Sequence, residues 1–252
     1  MSNLQGMMTI KAIKELTKDV YEMQLEGEGA HFITTPGQFI NIKINDSLQP
    51  YLRRPMSLCD YDDSHITIIF KAVGEGTRIL SQKQPGDQLD CLIGLGNGFE
   101  NMETKKAIVI GGGLGVPPMY KLAKELKAKG ADVTAVLGFN GKDDVFYEEE
   151  FKKICPTYIA TMDGTKGTKG NVIDVIKQEN LSYDHYYACG PEPMLDALVL
   201  TYPDNGSLSF EARMGCGFGA CMGCSCKVKT KPYKRICVEG PVLDSSEVIV
   251  NG

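Results

Sequence analysis

The hydrophobic positions of this chain follow two rhythms. Over the first hundred residues they alternate with polar neighbours in short runs: Met23 and Leu25, then Phe39, Ile40, Ile42 and Ile44 more loosely, then residues 65–73, then 88–95. A period of two predicts half-buried strands. Pro36-Gly37 and Pro85-Gly86 punctuate these runs as turns. Little helix intervenes, which predicts a small antiparallel barrel.

The rhythm then changes. A short apolar run at Ala107–Ile110 precedes a helical pattern with Met119, Leu122, Ala123 and Leu126 on one face. Strands are expected at 133–139, 158–161 and 186–190, and helices at 148–153, from Asn171 (Val172, Val175 and Ile176 inward) and at 191–200. Strand–helix alternation of this kind predicts an open, largely parallel sheet. Residues 207–211 read as a strand leading into a cysteine-rich loop. The predicted fold class is therefore multidomain β plus α/β: an antiparallel barrel over 1–101, a parallel nucleotide-binding sheet over 102–206, and a small C-terminal cluster domain over 207–252.

The loop carries the most specific chemistry. Cys216, Cys221 and Cys224 stand in C-x4-C-x2-C spacing, and Cys237 follows after twelve residues. This is the plant-type spacing for a [2Fe–2S] cluster held by four thiolates. Gly215, Gly217, Gly219, Ala220 and Gly223 leave room for a compact inorganic core. Zinc is the rival occupant, but zinc sites usually pair two short knuckles, and Cys237 lacks a neighbouring cysteine at knuckle spacing. Cys226 is an extra thiol, expected to be packed and free.

Phosphate-binding features precede it. Arg54-Pro55-Met56-Ser57 follows Arg53; an Arg fork beside a strand suits a pyrophosphate, and the Ser57 hydroxyl could reach a flavin ring nitrogen. The alternative is an ordinary basic strand end. Gly74-Glu75-Gly76-Thr77-Arg78 lies between a strand and a short helix, either as a phosphate-binding turn or as a plain turn with Thr77 as N-cap. Gly111-Gly112-Gly113-Leu114-Gly115-Val116-Pro117-Pro118 differs from the G-x-G-x-x-G fingerprint but still lets backbone approach a nucleotide at a helix start. Cys189-Gly190-Pro191-Glu192 ends the last strand on the same edge, with Cys189 either touching a nicotinamide or buried. Lys142, flanked by Asp143 and Asp144 in a segment without arginine, favours NAD(H) over NADP(H).

Composition narrows the field. The 252 residues are 42% hydrophobic and 23% charged, with a formal net charge of −5. That balance gives no general attraction to nucleic acid or to an anionic membrane. No apolar run reaches the length of a membrane span, and the first residues lack a signal-peptide pattern. Cys59, Cys91, Cys155 and Cys189 are scattered singly, as suits a reducing cytoplasm. His31, His65 and His185 share no metal-ligand spacing, and no Ser/His/Asp or paired-carboxylate arrangement is evident. The chemistry is expected to come from cofactors.

Barrel, nucleotide sheet and cluster loop in this order resemble a family: the electron-transfer subunits of two-subunit, NAD-dependent dihydroorotate dehydrogenases, within the ferredoxin-reductase superfamily. The residues that carry the resemblance are Arg54–Ser57, Gly76-Thr77, Gly111–Pro117, Cys189–Pro191 and the four cysteines, with Gly240-Pro241 just after Cys237. The resemblance implies that Arg54, Pro55, Met56, Ser57, Ile69, Phe70 and Lys71 line FAD, with Gly76 and Thr77 at its phosphates. Met56 stands where the wider superfamily has a flavin-stacking Tyr. It also implies Cys216, Cys221, Cys224 and Cys237 as cluster ligands, and NAD+/NADH as the dinucleotide. The implied partner is an FMN-containing catalytic subunit that oxidises dihydroorotate, in a heterotetramer with two copies of each chain. Electrons would then pass from FMN through the cluster and FAD to NAD+; the alternatives are the flavin subunit of another multi-subunit oxidoreductase, of hydrogenase, sulfide dehydrogenase or transhydrogenase type, and a non-catalytic redox-sensing binding protein.

Overall fold

The computed structural model describes residues 5–47, 49–100 and 103–250. Six strands close the barrel in the order β1-β2-β5-β4-β3-β6: β1 (Gln5–Thr17), β2 (Val20–Glu26), β3 (Phe39–Ile42), β4 (Arg54–Tyr61), β5 (His65–Lys71) and β6 (Gln88–Leu95). All of its strand pairs are antiparallel. Met8, Ile10, Met23, Leu25, Ile40, Ile42, Leu58, Ile66, Ile68 and Ile93 fill the interior. The helix α1 (Glu75–Ser81) follows β5.

The second unit is a seven-stranded sheet in the order β10-β9-β8-β7-β11-β12-β15. Its strands are β7 (Lys106–Gly112), β8 (Asp132–Phe139), β9 (Thr157–Thr161), β10 (Thr168–Lys169), β11 (His185–Cys189) and β12 (Gly206–Ser209), all parallel, with β15 (Val242–Asp244) antiparallel at one edge. The helices α2 (Val116–Ala128), α3 (Glu148–Lys152), α4 (Val172–Gln178) and α5 (Glu192–Thr201) connect them. Asn171 caps α4 by accepting from Ile173 N and Asp174 N at 2.8 and 3.2 Å. A small antiparallel ribbon, β13 (Ser225–Cys226) with β14 (Lys234–Arg235), leads into α6 (Ile236–Glu239).

β12 and β15 both pair into the nucleotide sheet, so the last fifty residues share that sheet while carrying the cysteine loop. The expected boundary at 101/102 falls on residues outside those described. The barrel packs on α2 through Val20, Cys59 and Ile69, which share one core with Met119, Leu122 and Leu126. Polar contacts fix the same joint: Tyr147 donates to Glu22 Oε2 at 2.8 Å, Tyr61 to Glu125 Oε1 at 3.1 Å, and Lys124 to Asp60 Oδ2 at 2.6 Å. Among the described residues, no helix is long and apolar enough to cross a membrane.

Candidate functional site: three cavities and a cysteine cage

The two units meet around a cavity of about 290 Å³ lined by Arg54, Pro55, Met56, Ser57, Ile69, Phe70, Lys71 and Thr77. Every flavin-lining position expected on the barrel faces it except Gly76, which lies against Arg54. A Cβ added at Gly76 would come 2.6 Å from Arg54 Nε, so only glycine lets the guanidinium lie there. α1 begins at Glu75 and its N-cap is Gly74, not Thr77. The helix starts two residues before the expected cap because Thr77 sits inside the first turn, its Oγ1 accepting from Gly74 N at 3.1 Å.

Arg53 and Arg54 have opposite fates. Arg53 Nη2 donates to Asp90 Oδ2 at 2.9 Å and is committed to the barrel. Arg54 has no carboxylate within ion-pair distance among the described residues; its guanidinium donates only to the Leu52 carbonyl. Lys71 is likewise free of ion pairs and lines both this cavity and the next. A cavity wall with two uncompensated cations and a glycine cradle suits an anionic dinucleotide such as FAD.

The far wall comes from distant sequence: Leu114, Ser209, Phe210, Glu211, Ala212, Met214 and Pro241. Sequence reasoning missed these positions, although the run from β12 into the cysteine loop and Gly240-Pro241 both pointed to that region. Met56 lines the cavity at 8% exposure, with Phe210, Met214 and Pro241 among the other apolar walls.

The carboxyl edge of the parallel sheet opens a second cavity, about 280 Å³, lined by Gly112, Gly113, Leu114, Asn140, Asp144, Asn171, Pro191 and Lys71 among others. A third, about 380 Å³, takes Gly112, Gly115, Gly190, Pro191, Glu211 and Cys226. Leu114 borders all three. Gly115 is obligatory: a Cβ there would lie 2.1 Å from the Cys189 carbonyl oxygen. The two glycine-bearing turns thus press backbone against backbone, leaving a site for a nucleotide where open α/β sheets bind them. Gly111 and Cys189 line none of these cavities. The Cys189 thiol is 1% exposed, and burial pushes it up to about 12.

Cys216, Cys221, Cys224 and Cys237 come together as two pairs. Cys216 Sγ accepts from Ala220 N at 3.2 Å and Cys221 N at 3.4 Å, and Cys221 Sγ from Cys216 N at 3.4 Å and Gly223 N at 3.5 Å. Cys224 and Cys237 are buried with their sulfurs 3.2 Å apart, and Cys237 N donates to Cys224 Sγ at 3.4 Å. Burial pushes the Cys216 thiol up, but the N–H groups of Phe218, Cys221 and Ala220 outweigh it and bring it down to about 6. Burial and the neighbouring Cys224 sulfur push Cys237 up to about 12. Among the described residues no three His, Cys, Asp or Glu side chains converge on a point that suits one metal ion. Two pairs of thiols, already served by backbone donors, fit a two-iron core bound by four thiolates. Cys226 is half-buried on the third cavity.

Residues 211–249 match the family model described as the iron–sulfur cluster binding domain of dihydroorotate dehydrogenase B, and residues 109–199 the oxidoreductase NAD-binding domain. The chain is 47% identical over 254 residues to the dihydroorotate dehydrogenase B (NAD(+)) electron transfer subunit of Geobacillus sp. (strain WCH70), covering 98% of this chain and 99% of that one. This chain belongs to that family. The Fusobacterium nucleatum subsp. nucleatum electron transfer subunit is 45% identical, covering 95% and 96%. Among solved structures, an NADH-dependent reduced ferredoxin–NADP oxidoreductase studied for flavin-based electron bifurcation matches with a TM-score of 0.88 at 28% identity, covering 97% of this chain and 90% of that one. The ferredoxin reductase of carbazole 1,9a-dioxygenase, at 19% identity and a TM-score of 0.65 over 78% of this chain and 64% of that one, shares the fold.

In this dihydroorotate dehydrogenase B electron transfer subunit, the rim of the cage is partly neutralised. The basic run 227–235 borders the cage, where Arg235 Nη1 donates to the Gly219 carbonyl at 2.9 Å, and its expectation from sequence is either a solvated hairpin or a docking rim for an acidic partner. Lys231 pairs with Glu239, Lys234 with Glu247, and Arg235 with Glu239 at 3.2 Å. These three charges are offset within the chain, whereas exposed Lys227 and Lys229 have no ion pair among the described residues. The exposed surface beside the cage also carries apolar side chains, with Phe218 55%, Met222 42%, Tyr233 50% and Val238 43% exposed.

Proposed function

We propose that this chain is the subunit that links the FMN of a dihydroorotate dehydrogenase catalytic partner to NAD+, through a [2Fe–2S] cluster and FAD, in pyrimidine (UMP) biosynthesis. The observation that carries this reading is the adjacency of its three sites on one chain. The flavin cavity takes one wall from Ser209–Met214, Met214 is two residues from the cluster ligand Cys216, and Leu114 and Lys71 continue the same wall into the nucleotide cavity. When bound, the cluster would supply one-electron transfer and the flavin would pair electrons for hydride exchange with nicotinamide.

The chain's own residues supply position and charge. Arg54 and Thr77 hold phosphate, while Met56, Ser57, Ile69 and Phe70 enclose a ring. Lys71 sets positive charge between the two dinucleotides. Gly112, Gly113, Gly115, Gly190 and Pro191 present backbone to the pyridine nucleotide. Cys216, Cys221, Cys224 and Cys237 hold the cluster. Three functional units follow, over 1–101, 102–206 and 207–252, the last sharing its sheet with the second.

The apolar face of Phe218, Met222, Tyr233 and Val238 is the docking surface for the FMN subunit, in a heterotetramer of two copies of each chain. The nine cysteines are all free of disulfides, which supports a cytoplasmic location.

Cofactor analysis of the natively isolated complex tests the reading. FAD and iron should follow this chain and FMN the partner. Oxidation of dihydroorotate by this chain alone would overturn it.

A further inference from the structure

Asn41 lies on β3, outside the set of residues given a functional role above. Side chains alternate along a strand, and the alternation on β3 sorts its residues cleanly. Ile40 and Ile42 belong to the barrel core, whereas Phe39 belongs to the core that also holds Cys224, Ile236 and Cys237 and lines the proposed flavin cavity. Asn41 shares the outward face with Phe39. It is 0% exposed, and its Nδ2 donates to the carbonyl of Cys216 at 3.4 Å, across 175 residues of chain.

Three further observations point the same way. Asn41 Oδ1 is the one buried side-chain oxygen or nitrogen among the described residues that lacks a protein partner. Gly217, at φ +79°, lies directly against the amide: a Cβ there would meet Asn41 Nδ2 at 2.5 Å. Behind it, Arg53 Nη1 donates to the Asn41 carbonyl at 3.4 Å and to the Asp90 carbonyl at 2.7 Å, bracing the strand. A buried polar group with an unmet acceptor is retained against its desolvation cost, and here its donor holds the backbone of a cysteine of the cage.

We propose that Asn41 is a positioning residue for electron exchange: by fixing the Cys216 carbonyl on the strand whose Phe39 lines the flavin cavity, it sets the register between cage and flavin. This rests on the proposed function, which supplies the cluster and the flavin. Only Gly215 separates Met214, on the cavity wall, from Cys216. A tie at Cys216 therefore fixes the shortest covalent link between the two sites. Asn97 secures the other side of the joint, its N–H donating to the Gly240 carbonyl at 2.7 Å.

The test is Asn41→Leu, of the same heavy-atom branching but unable to donate, prepared anaerobically as the native two-subunit complex and compared at equal iron and FAD content. Two rates are followed after mixing with NADH: flavin bleaching by absorbance, and cluster reduction by rapid-freeze electron paramagnetic resonance. Flavin bleaching should stay within about twofold of wild type, and cluster reduction should slow by about tenfold or more, the scale of a small misplacement. The reduced-cluster resonance should also shift or broaden, a readout independent of turnover. Should Asn41→Leu fail to hold iron, Asn41→Ala, smaller and likewise unable to donate, carries the same pair of measurements. Unchanged cluster reduction and an unchanged resonance at full iron and flavin content would overturn the inference. Wild-type protein without iron or flavin would instead refute the proposed function.

Discussion

Arg54 lies over Gly76: the nearest guanidinium atom would be 2.6 Å from any Cβ placed there. The contact joins the end of one barrel strand to the first turn of α1, and it leaves Arg54 without a carboxylate partner. Gly76→Ala should push the guanidinium off its seat and weaken FAD binding by about 1–3 kcal/mol, the usual cost of overpacking a fitted site. The ratio of bound flavin to protein after gel filtration, and FAD titration of the apoprotein, would measure it. Unchanged FAD affinity would mean that the Arg54 seat has no part in holding the cofactor.

The cysteines make a sharper division. Replacing Cys216, Cys221, Cys224 or Cys237 by Ser should abolish or greatly lower iron content. Cys226→Ser, on the third cavity, should keep it. Iron and acid-labile sulfide assays check this directly. Loss of iron from the Cys226 variant alone would reassign a ligand.

Cys189 should be inert. Its thiol is buried and raised to about 12, so neither access nor ionisation favours attack at pH 8. Brief treatment of native protein with a maleimide, followed by peptide mass mapping, should leave Cys189 unmodified until the chain is denatured. Rapid labelling in the native state, prevented by NAD+, would return it to the nicotinamide site.

Acid should reveal the turn that pairs β4 with β5. Asp62 Oδ1 accepts from Ser64 N at 2.9 Å and His65 N at 2.8 Å, and these backbone bonds hold its carboxyl at about 2, below its ordinary 3.8. A depressed carboxylate contributes stability that is fully present above its unfolded value and lost as pH falls through the folded one. The side chain is largely exposed, so solvent screening limits the contribution to under about 1 kcal/mol. Asp62→Ala should therefore lower Tm slightly at pH 7, and the gap should close between pH 3.8 and about 2. A gap that widened on acidification would contradict the sign.

The docking face gives a prediction about association. Phe218→Glu places a charge on the apolar rim beside Cys216 and should weaken binding to the catalytic subunit by about 2 kcal/mol or more if the ring is a central anchor. Removing the Lys231–Glu239 pair whole, as Lys231→Gln with Glu239→Gln, should hardly change the salt dependence of association, because the two charges already offset each other. Sedimentation of mixed subunits at several salt concentrations separates the two.

Much of this was legible in the residues because the signals were local. Residues 88–95 alternate, and β6 occupies them. Asn171 is a cap by chemistry and by observation. The cysteine spacing named its own chemistry. β1 was not legible: register shifts at Ile10/Ala12 and Glu15/Thr17 break its alternation, and its lysines and glutamates obscure the apolar face. The far wall of the flavin cavity was hidden for a different reason. Phe210, Met214 and Pro241 meet Met56 only after β12 and β15 join the parallel sheet, a pairing across a long stretch of chain that no local pattern encodes. The ion pairs that neutralise Lys231 and Lys234 were invisible for the same reason, since Glu239 and Glu247 lie outside the basic run.

The most direct test is anaerobic addition of NADH to the isolated chain, with and without its FAD, while the cluster is watched by electron paramagnetic resonance. The cluster should become reduced when FAD is present and stay oxidised when it has been stripped. Reduction of the cluster at an equal rate without FAD, or a chain that never holds a cluster, would contradict the account.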